Sequence, residues 1–349
     1  LKHWSNQLAH SILQQDRNFI IPSNQIYNKL IAPIKDKVAL AHQLIIVPDD
    51  VLSLINFETL VTSKPESERI YFPSFKDYLI YDHQISYAFS ATTLKETHKT
   101  TKSPSKSFLG MAPNFENSFS LNGTFFDKLD WNKYEVEQIS QLYKNINLVE
   151  EIADSRTFSE LAPDYSLIHL ATHAKADNSD GDLSYIAFGP NESNILYAKD
   201  LYALNLNADM VVLSACQTSA GPVNRGEGII SLARGFIYAG ASSVVTSLWN
   251  VRERSNKTII LDFYKGLEKG LSKDQALRES KIRFLASVKP ENQELAHPFF
   301  WAPLICLGDT APYQKPFSSH WLIVIGVLLL LVGSLVFQKR FTSSKYRKG

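Results

Sequence analysis

The sequence has 349 residues, 44% hydrophobic and 20% charged, which suits one large or two ordinary globular domains with ample core. Its 36 Lys and Arg residues balance 35 Asp and Glu residues, so no overall positive field attracts nucleic acid, and no nucleic-acid partner is expected. The two cysteines, Cys216 and Cys306, lack a CxxC motif, so neither a disulfide framework nor a metal site is predicted, and no cofactor is expected.

The first half of the chain alternates short apolar runs with helical patterns. Residues 1–19 predict a polar helix that Pro22 ends. This helix would be the last turn of an upstream repeat array. Residues 95–106 are rich in Thr, Ser and Lys and predict an exposed loop. Strand patterns lie at 43–47, 78–87, 108–111 and 148–153, and helical patterns at 133–143 and 157–162.

The second half continues the alternation. Strand patterns lie at 166–172, 210–215, 241–249 and 301–307, the last closing the sheet, with an edge pairing at 183–188. Helical patterns lie at 197–204, 227–238, 257–267 and 273–285, and Gly240 ends the second of these. Strands that alternate with helices predict an α/β fold with a mostly parallel sheet and helices on both faces.

His173 and Cys216 each stand just past an apolar strand pattern. Strands of a βαβ unit lie side by side and run the same way, so the residues that follow them share the edge where such sheets bind ligands. An imidazole beside a thiol takes its proton and holds a thiolate–imidazolium pair. The sequence therefore predicts a Cys/His dyad.

Other interpretations of these residues stay open at this point. His169 lies inside its strand and is expected to be a hydrogen-bonded core histidine, and His297 precedes Pro298, where it would cap the start of a strand. Cys216 could be a small core residue, or pair with Cys306. The polar, glycine-rich residues 217–228 favour an open position for its thiol.

The C-terminal segment 321–337 has 17 residues without a charge, Trp321 at its start and basic residues after it. These features favour a transmembrane helix over a buried core helix. The positive-inside rule then places the basic tail, 338–349, in the cytoplasm and the large domain on the opposite side of the membrane. The chain starts at Leu1, not Met, and is expected to be part of a longer protein.

Several segments together resemble the CHAT family of caspase-like domains. They are LIIVPDDVLSLINFETL (44–60), HLATHA (169–174), VVLSACQTSAG (211–221), GEGIISLARGFIYAGASSVVTSLWNV (226–251) and HPFFWAPLICLGD (297–309). The resemblance implies a caspase-like fold and, since family members are often attached to tetratricopeptide repeats, an upstream repeat region. The expected divisions are an N-terminal helix (1–20), a CHAT domain (21–312), a linker (313–320), the transmembrane helix and the tail.

The resemblance also implies a chemistry, because caspases, separase and clostripain are cysteine endopeptidases of the same clan. His173 and Cys216 match the catalytic dyad: the thiolate attacks the scissile carbonyl and the histidine protonates the leaving amine. Backbone N–H groups of Cys216 and Ala174 would hold the oxyanion. Relatives often carry glycine after the histidine, so Ala174 is a mild departure.

The substrate pocket is less defined by the resemblance. In several relatives the residue two before the nucleophile lines this pocket, and here it is Ser214, small and uncharged. An acidic wall would come from Asp180, Asp182 or Glu227, each of which is also explained as a solvated loop charge. The residue preferred before the cleaved bond is not assigned.

The predicted function is a membrane-anchored cysteine endopeptidase that cleaves a protein substrate and is regulated by an upstream sensor or tetratricopeptide region. The alternative is a catalytically silent CHAT-type module that docks partners. A third interpretation, an amidotransferase-type hydrolase, needs a G-x-C-x-G turn that the residues flanking Cys216 do not supply. Intact His173 and Cys216 favour the endopeptidase.

Overall fold

Short apolar segments form a central eight-stranded sheet in this computed structural model, which describes residues 1–63, 73–99, 104–143, 146–149, 152–177, 179–214, 227–249 and 253–314. These residues belong to one unit, Leu1–Gln314. Its strands are β1 (Gln43–Ile46), β2 (Gln84–Tyr87), β3 (Lys106–Ala112), β4 (Phe119–Leu121), β5 (Thr124–Phe126), β6 (Ile146–Val149), β7 (Tyr165–Leu170), β8 (His173–Lys175), β9 (Tyr185–Ala187), β10 (Ile195–Tyr197), β11 (Met210–Leu213), β12 (Ser243–Ser247) and β13 (Leu304–Gly308).

The α-helices of the described residues vary from one turn to more than four. They are α1 (Lys2–Leu13), α2 (Ile20–Leu30), α3 (Lys35–Val38), α4 (Leu79–Asp82), α5 (Ala91–Lys99), α6 (Asn132–Tyr143), α7 (Ser155–Leu161), α8 (Ala198–Leu201), α9 (Glu227–Tyr238), α10 (Glu253–Glu268), α11 (Lys273–Ser287) and α12 (Pro298–Trp301). Gly240 has φ +113°, the left-handed conformation expected just after the end of α9.

Strand direction defines where a site can form. The order in the central sheet is β1-β2-β13-β12-β11-β7-β3-β6. Neighbouring strands are parallel except β12 and β13, which are antiparallel. The carboxyl ends of β3, β7, β11 and β12 therefore meet at one edge, called here the carboxyl rim. The predicted α/β class with a mostly parallel sheet is confirmed.

Helices cover both faces of this sheet. On one face Phe108 of β3 packs against Tyr143 of α6 and Tyr264 of α10, with ring centroids 5.6 and 6.2 Å away. On the other, Phe158 of α7 meets Phe236 of α9 at 6.4 Å. All six residues of β7 are buried, as expected of a strand covered on both sides.

Two small sheets lie beside the central one. The strands β10, β9 and β8 form an antiparallel sheet in that order, and β4 and β5 form a hairpin. Together they enclose a separate apolar cluster of Leu121, Phe126, Tyr185, Ala187 and Ile195. His173 opens β8, so these small sheets surround the predicted catalytic histidine.

The N-terminal segment differs from its prediction. Helix α1 ends at Leu13, and a new helix, α2, starts at Ile20. Pro22 lies in the first turn of α2, where its missing N–H has no helical partner to lose, so it does not end a helix here. Leu8 and Ile12 are buried in the main core, so α1 packs onto the same unit.

Four other predicted elements are wrong in part. Residues 79–82 are helical, with the N–H of His83 donating to the carbonyl of Leu79, and the strand there starts only at Gln84. Ser90 accepts the N–H of Thr93 and starts a helix that extends through Lys99, in place of a loop. Strand β13 lies between β12 and β2 and so does not close the sheet, and β9 is a middle strand, not an edge.

The predicted single-pass membrane location, with the domain and the basic tail on opposite sides, is corrected by the structure. Among the described residues, no helix is long and apolar enough to cross a bilayer. The longest of them, α10, has 16 residues and rises about 24 Å, less than the roughly 30 Å hydrocarbon core. Residues 321–337, the predicted membrane partner, lie outside the described residues.

Candidate active site

The two predicted dyad positions follow neighbouring strands of the carboxyl rim at equal offsets in the sequence. Strands β7 and β11 are parallel neighbours in which Leu170 pairs with Leu213, and the N–H of Ser214 extends the ladder to the carbonyl of Leu170 at 3.0 Å. His173 and Cys216 each follow this pair by three residues. Cys216 itself lies outside the described residues, so the site is built from His173 and from the strand that leads to the cysteine.

The two ring nitrogens of His173 have different surroundings among the described residues. The side chain is buried, at 1% exposure, and Nε2–H donates to the backbone carbonyl of Asp127 at 2.8 Å. Within the described part of the chain, Nδ1 has no hydrogen-bond partner. With the proton on Nε2, the lone pair of Nδ1 is available to a donor such as a thiol.

Three phenylalanines surround this imidazole. The ring centroids of Phe115, Phe126 and Phe119 lie 4.7, 5.0 and 5.8 Å from that of His173. This burial lowers the pKa of His173 from 6.5 to about 4, and the hydrogen bond to Asp127 opposes the shift only in part. The free imidazole is therefore neutral at pH 7, which suits a general base and disfavours a standing imidazolium.

The β4–β5 hairpin supplies this environment, and sequence reasoning missed it. Its turn residues Asn122 and Gly123 both have positive φ, +48° and +70°, as a two-residue hairpin turn requires. The hairpin carries Phe119 and Phe126, and Asp127 follows its second strand directly. The Asn-Gly dipeptide between two aromatic runs was the available signal.

The remaining predicted residues of the reacting centre lie on the same rim. Ala174 is buried in β8, the edge strand of the three-stranded sheet, and pairs with Ile186 of β9. Ser214 is 8% exposed, and its Oγ accepts from Nδ2 of Asn256 on α10 at 3.4 Å. The Ser214 side chain thus contacts a helix that the sequence analysis did not connect with the site.

The predicted acidic pocket residues are exposed or lie at a helix start. The carboxylate of Asp180 accepts the N–H of Asp182, and Asp182 accepts the hydroxyl of Tyr202 at 2.9 Å. Residues 181–183 pack against α9, whose first residue is Glu227. The three acidic positions therefore lie on adjoining segments, and none of the described contacts joins them to His173.

The other histidines have structural roles. His169 is fully buried, with Nε2 2.9 Å from Oε1 of Glu135 and Nδ1 3.0 Å from the hydroxyl of Tyr264, which confirms the predicted core histidine. His297 accepts the N–H of Phe299 and caps α12, so the expectation that it caps a strand is wrong. Burial lowers the pKa of His297 to about 4 as well.

Cys306 does not take part in a disulfide. It is a free thiol, fully buried on β13, and burial raises its pKa to about 12. Such a thiol is inert as a nucleophile at neutral pH. Among the described residues no cluster of His, Cys, Asp or Glu could hold a metal ion.

These features define a mixed α/β protein with a buried, neutral histidine at the carboxyl rim of a mostly parallel sheet. The sequence matches the CHAT domain over residues 21–309. Since the match spans most of the chain, the chain belongs to the CHAT domain family.

Curated relatives share part of this domain. The chain is 34% identical to Tetratricopeptide repeat protein 28 of Homo sapiens over 142 residues, covering 41% of this chain and 5% of that protein. The protein of the same name from Mus musculus is 32% identical over 129 residues, covering 37% and 5%. The chain thus spans about a twentieth of the length of these relatives.

Solved structures show a distant similarity. The complex of Porphyromonas gingivalis RgpB pro- and mature domains has a TM-score of 0.47 at 12% identity, covering 90% of this chain and 76% of that chain. A Saccharomyces cerevisiae separase–securin complex has a TM-score of 0.43 at 13% identity, covering 68% and 14%. The Arg specific cysteine proteinase gingipain R has a TM-score of 0.43 at 9% identity, covering 67% and 56%.

Proposed function

We propose that this chain is a caspase-like cysteine endopeptidase domain in which Cys216 is the nucleophile and His173 the general base and acid. The observation that carries the proposal is Nδ1 of His173, which has no partner among the described residues. His173 lies three residues past the Leu170–Leu213 pair, and Cys216 follows that pair in the sequence at the same offset. A buried acceptor without a partner costs about 1–3 kcal/mol, and a thiol donor at this rim would supply the missing hydrogen bond.

The proposed reaction uses the neutral imidazole. Nδ1 takes the proton of the Cys216 thiol while sulfur attacks the scissile carbonyl, and N–H groups of Cys216 and Ala174 hold the oxyanion. The C–N bond then breaks and Nδ1–H protonates the leaving amine. Water, deprotonated by Nδ1, attacks the thioester, and the acid is released with the thiol restored.

The substrate pocket and the regulation are parts of the same proposal. Ser214 would line the pocket for the residue before the cleaved bond, with Asp180, Asp182 and Glu227 at its outer wall. The CHAT domain would extend over residues 21–312, with residues 313–320 as a linker. The relatives' name supports an attached tetratricopeptide region. In this proposal that region would control cleavage of a protein substrate.

Comparison of protein N-termini in cells tests the proposal. Cells carrying the full-length protein, its Cys216→Ala variant, its His173→Ala variant or a Cys306→Ala control would be compared under activating conditions. New N-termini in the wild type and the Cys306→Ala cells, absent from both dyad variants, are the expected result, since the buried Cys306 is not reactive. Identical profiles in all four would favour the silent interaction module.

A further inference from the structure

Two aromatic side chains and one lysine form an exposed wall at the carboxyl rim. Nζ of Lys257 lies 3.9 Å from the ring centroids of both Trp131 and Tyr134, which meet edge to face at 6.0 Å. The two aromatic residues are 45% and 40% exposed. Trp131, Tyr134 and Lys257 are called here the aromatic–lysine wall.

Hydrogen bonds tie this wall to both proposed dyad strands. Asn132, next to Trp131, donates to the carbonyl of Ala171, two residues before His173, at 3.4 Å. Asn256, next to Lys257, donates to Ser214, two residues before Cys216, at 3.4 Å. The wall therefore lies beside the ends of the two strands that lead toward the proposed dyad positions.

The Lys257 ammonium contacts aromatic rings and no described carboxylate. The rings partly shield it from water. The N-terminus of α6, which starts at Asn132, faces the same rim and adds partial positive charge. Such a surface attracts a carboxylate and repels a cation.

We infer that the aromatic–lysine wall binds an acidic side chain of the substrate close to the cleaved bond. The inference rests on the proposed peptidase function and names a feature of its substrate. Lys257 pairs with the Asp or Glu carboxylate, and the exposed faces of Trp131 and Tyr134 pack against the neighbouring part of the peptide. Large aromatic side chains and partly desolvated cations are typical of residues that carry binding energy.

The probe for this inference is a library of peptides prepared from a digested proteome. The full chain would be incubated with it as wild type, as Lys257→Glu and as Lys257→Met, and cleavage sites would be mapped by mass spectrometry. Lys199→Glu is the matched control, because Nζ of Lys199 also lies over an aromatic ring, that of Tyr197, at 5.4 Å, but on α8.

The wild type and the control should select Asp or Glu at one position close to the cut. Lys257→Glu should lower kcat/KM for such peptides about fivefold and shift the same position toward Lys or Arg, while Lys257→Met only loses the selection. Cleavage without acidic selection, or a Lys257→Glu profile equal to the wild type, would overturn the inference and leave the peptidase proposal standing.

Capture of the same peptides by the Cys216→Ala variant separates the two proposals. Suppose the wild type cuts nothing, but Cys216→Ala captures acidic peptides and the double variant Cys216→Ala with Lys257→Glu does not. The acidic-binding role of the wall is then supported, and the peptidase proposal fails. If the wild type cuts nothing and no acidic peptides are retained, both fail.

Discussion

The imidazole of His173 has two ring nitrogens with different partners, and this difference defines its proposed role. Nε2–H is fixed by the carbonyl of Asp127, so the ring cannot rotate without losing a buried hydrogen bond. Nδ1 then carries no proton, so it can only accept a hydrogen bond. The aromatic surroundings lower the pKa of the ring to about 4, which keeps it a base throughout the neutral range.

The pH dependence of peptide cleavage should show this lowered pKa. A histidine of pKa 6.5 would be about 3% neutral at pH 5, whereas one of pKa about 4 would be about 90% neutral. We therefore expect kcat/KM at pH 5 within about twofold of its pH 7 value, with the acid limb well below pH 6.5. An acid limb at 6.5 or above, measured on a peptide found by N-terminus mapping, would contradict this.

A variant of the aromatic surroundings provides the control for that profile. Phe115→Ala removes the ring closest to His173 and admits water, which reduces desolvation of the imidazolium. The acid limb should then move toward pH 6.5. An unchanged limb would show that Phe115 does not lower the pKa of His173.

At the scale of elements, the β4–β5 hairpin is expected to position His173 through Asp127. Gly123→Val forces a branched side chain into positive φ and should cost about 1–2 kcal/mol while loosening the hairpin. Gly270→Val is the matched control, because Gly270 also has positive φ, +82°, and no heavy atom near an added Cβ, but lies between α10 and α11.

Both glycine variants should lower the melting temperature to a similar extent, measured by circular dichroism. Only Gly123→Val should also lower kcat/KM below the melting transition, by about tenfold, because misplacing a catalytic base weakens proton transfer. Equal activity losses in the two variants would show that the hairpin does not position His173.

Periodicity predicted the long elements and missed the short ones, for physical reasons. Amphipathic helices such as α6, α9 and α10 and buried strands such as β3 and β11 carry their pattern locally. The three-residue strands β8 and β10, unlike β9, were not predicted, because they are too short to show a period and form where tertiary packing pairs them. His173 was predicted from its position after a strand. Its partner, the carbonyl of Asp127, is a backbone atom, which no residue type in the sequence marks.

For the whole molecule, a buried ion pair joins distant parts of the chain. Lys281 of α11 is fully buried and its Nζ contacts Glu58 and the carbonyl of Leu304. Asn56 donates to the same Glu58 carboxylate at 3.0 Å. The pair thus connects the segment before β2 with α11 and β13, a contact between residues more than two hundred positions apart that no local pattern could predict.

Removing one partner of this pair should destabilise the protein more than removing both. Lys281→Met leaves the Glu58 carboxylate buried without its cation and should cost about 3–5 kcal/mol in urea unfolding. The double variant Lys281→Met with Glu58→Leu should recover at least about half of that loss, since apolar side chains can replace a buried pair. Losses that add in the double variant would contradict this coupling.

The central claim is that the thiol of Cys216 meets Nδ1 of His173, and nitrogen NMR of the full chain labelled with ¹⁵N-histidine tests it most directly. The His173 signals would be assigned by their loss in His173→Gln and compared between the wild type and Cys216→Ala. We predict that Nδ1 of His173 shifts between these two proteins, because the thiol donates to it in one and not in the other, while Nε2 stays bound to Asp127 in both. Identical Nδ1 signals in the two proteins would contradict the dyad.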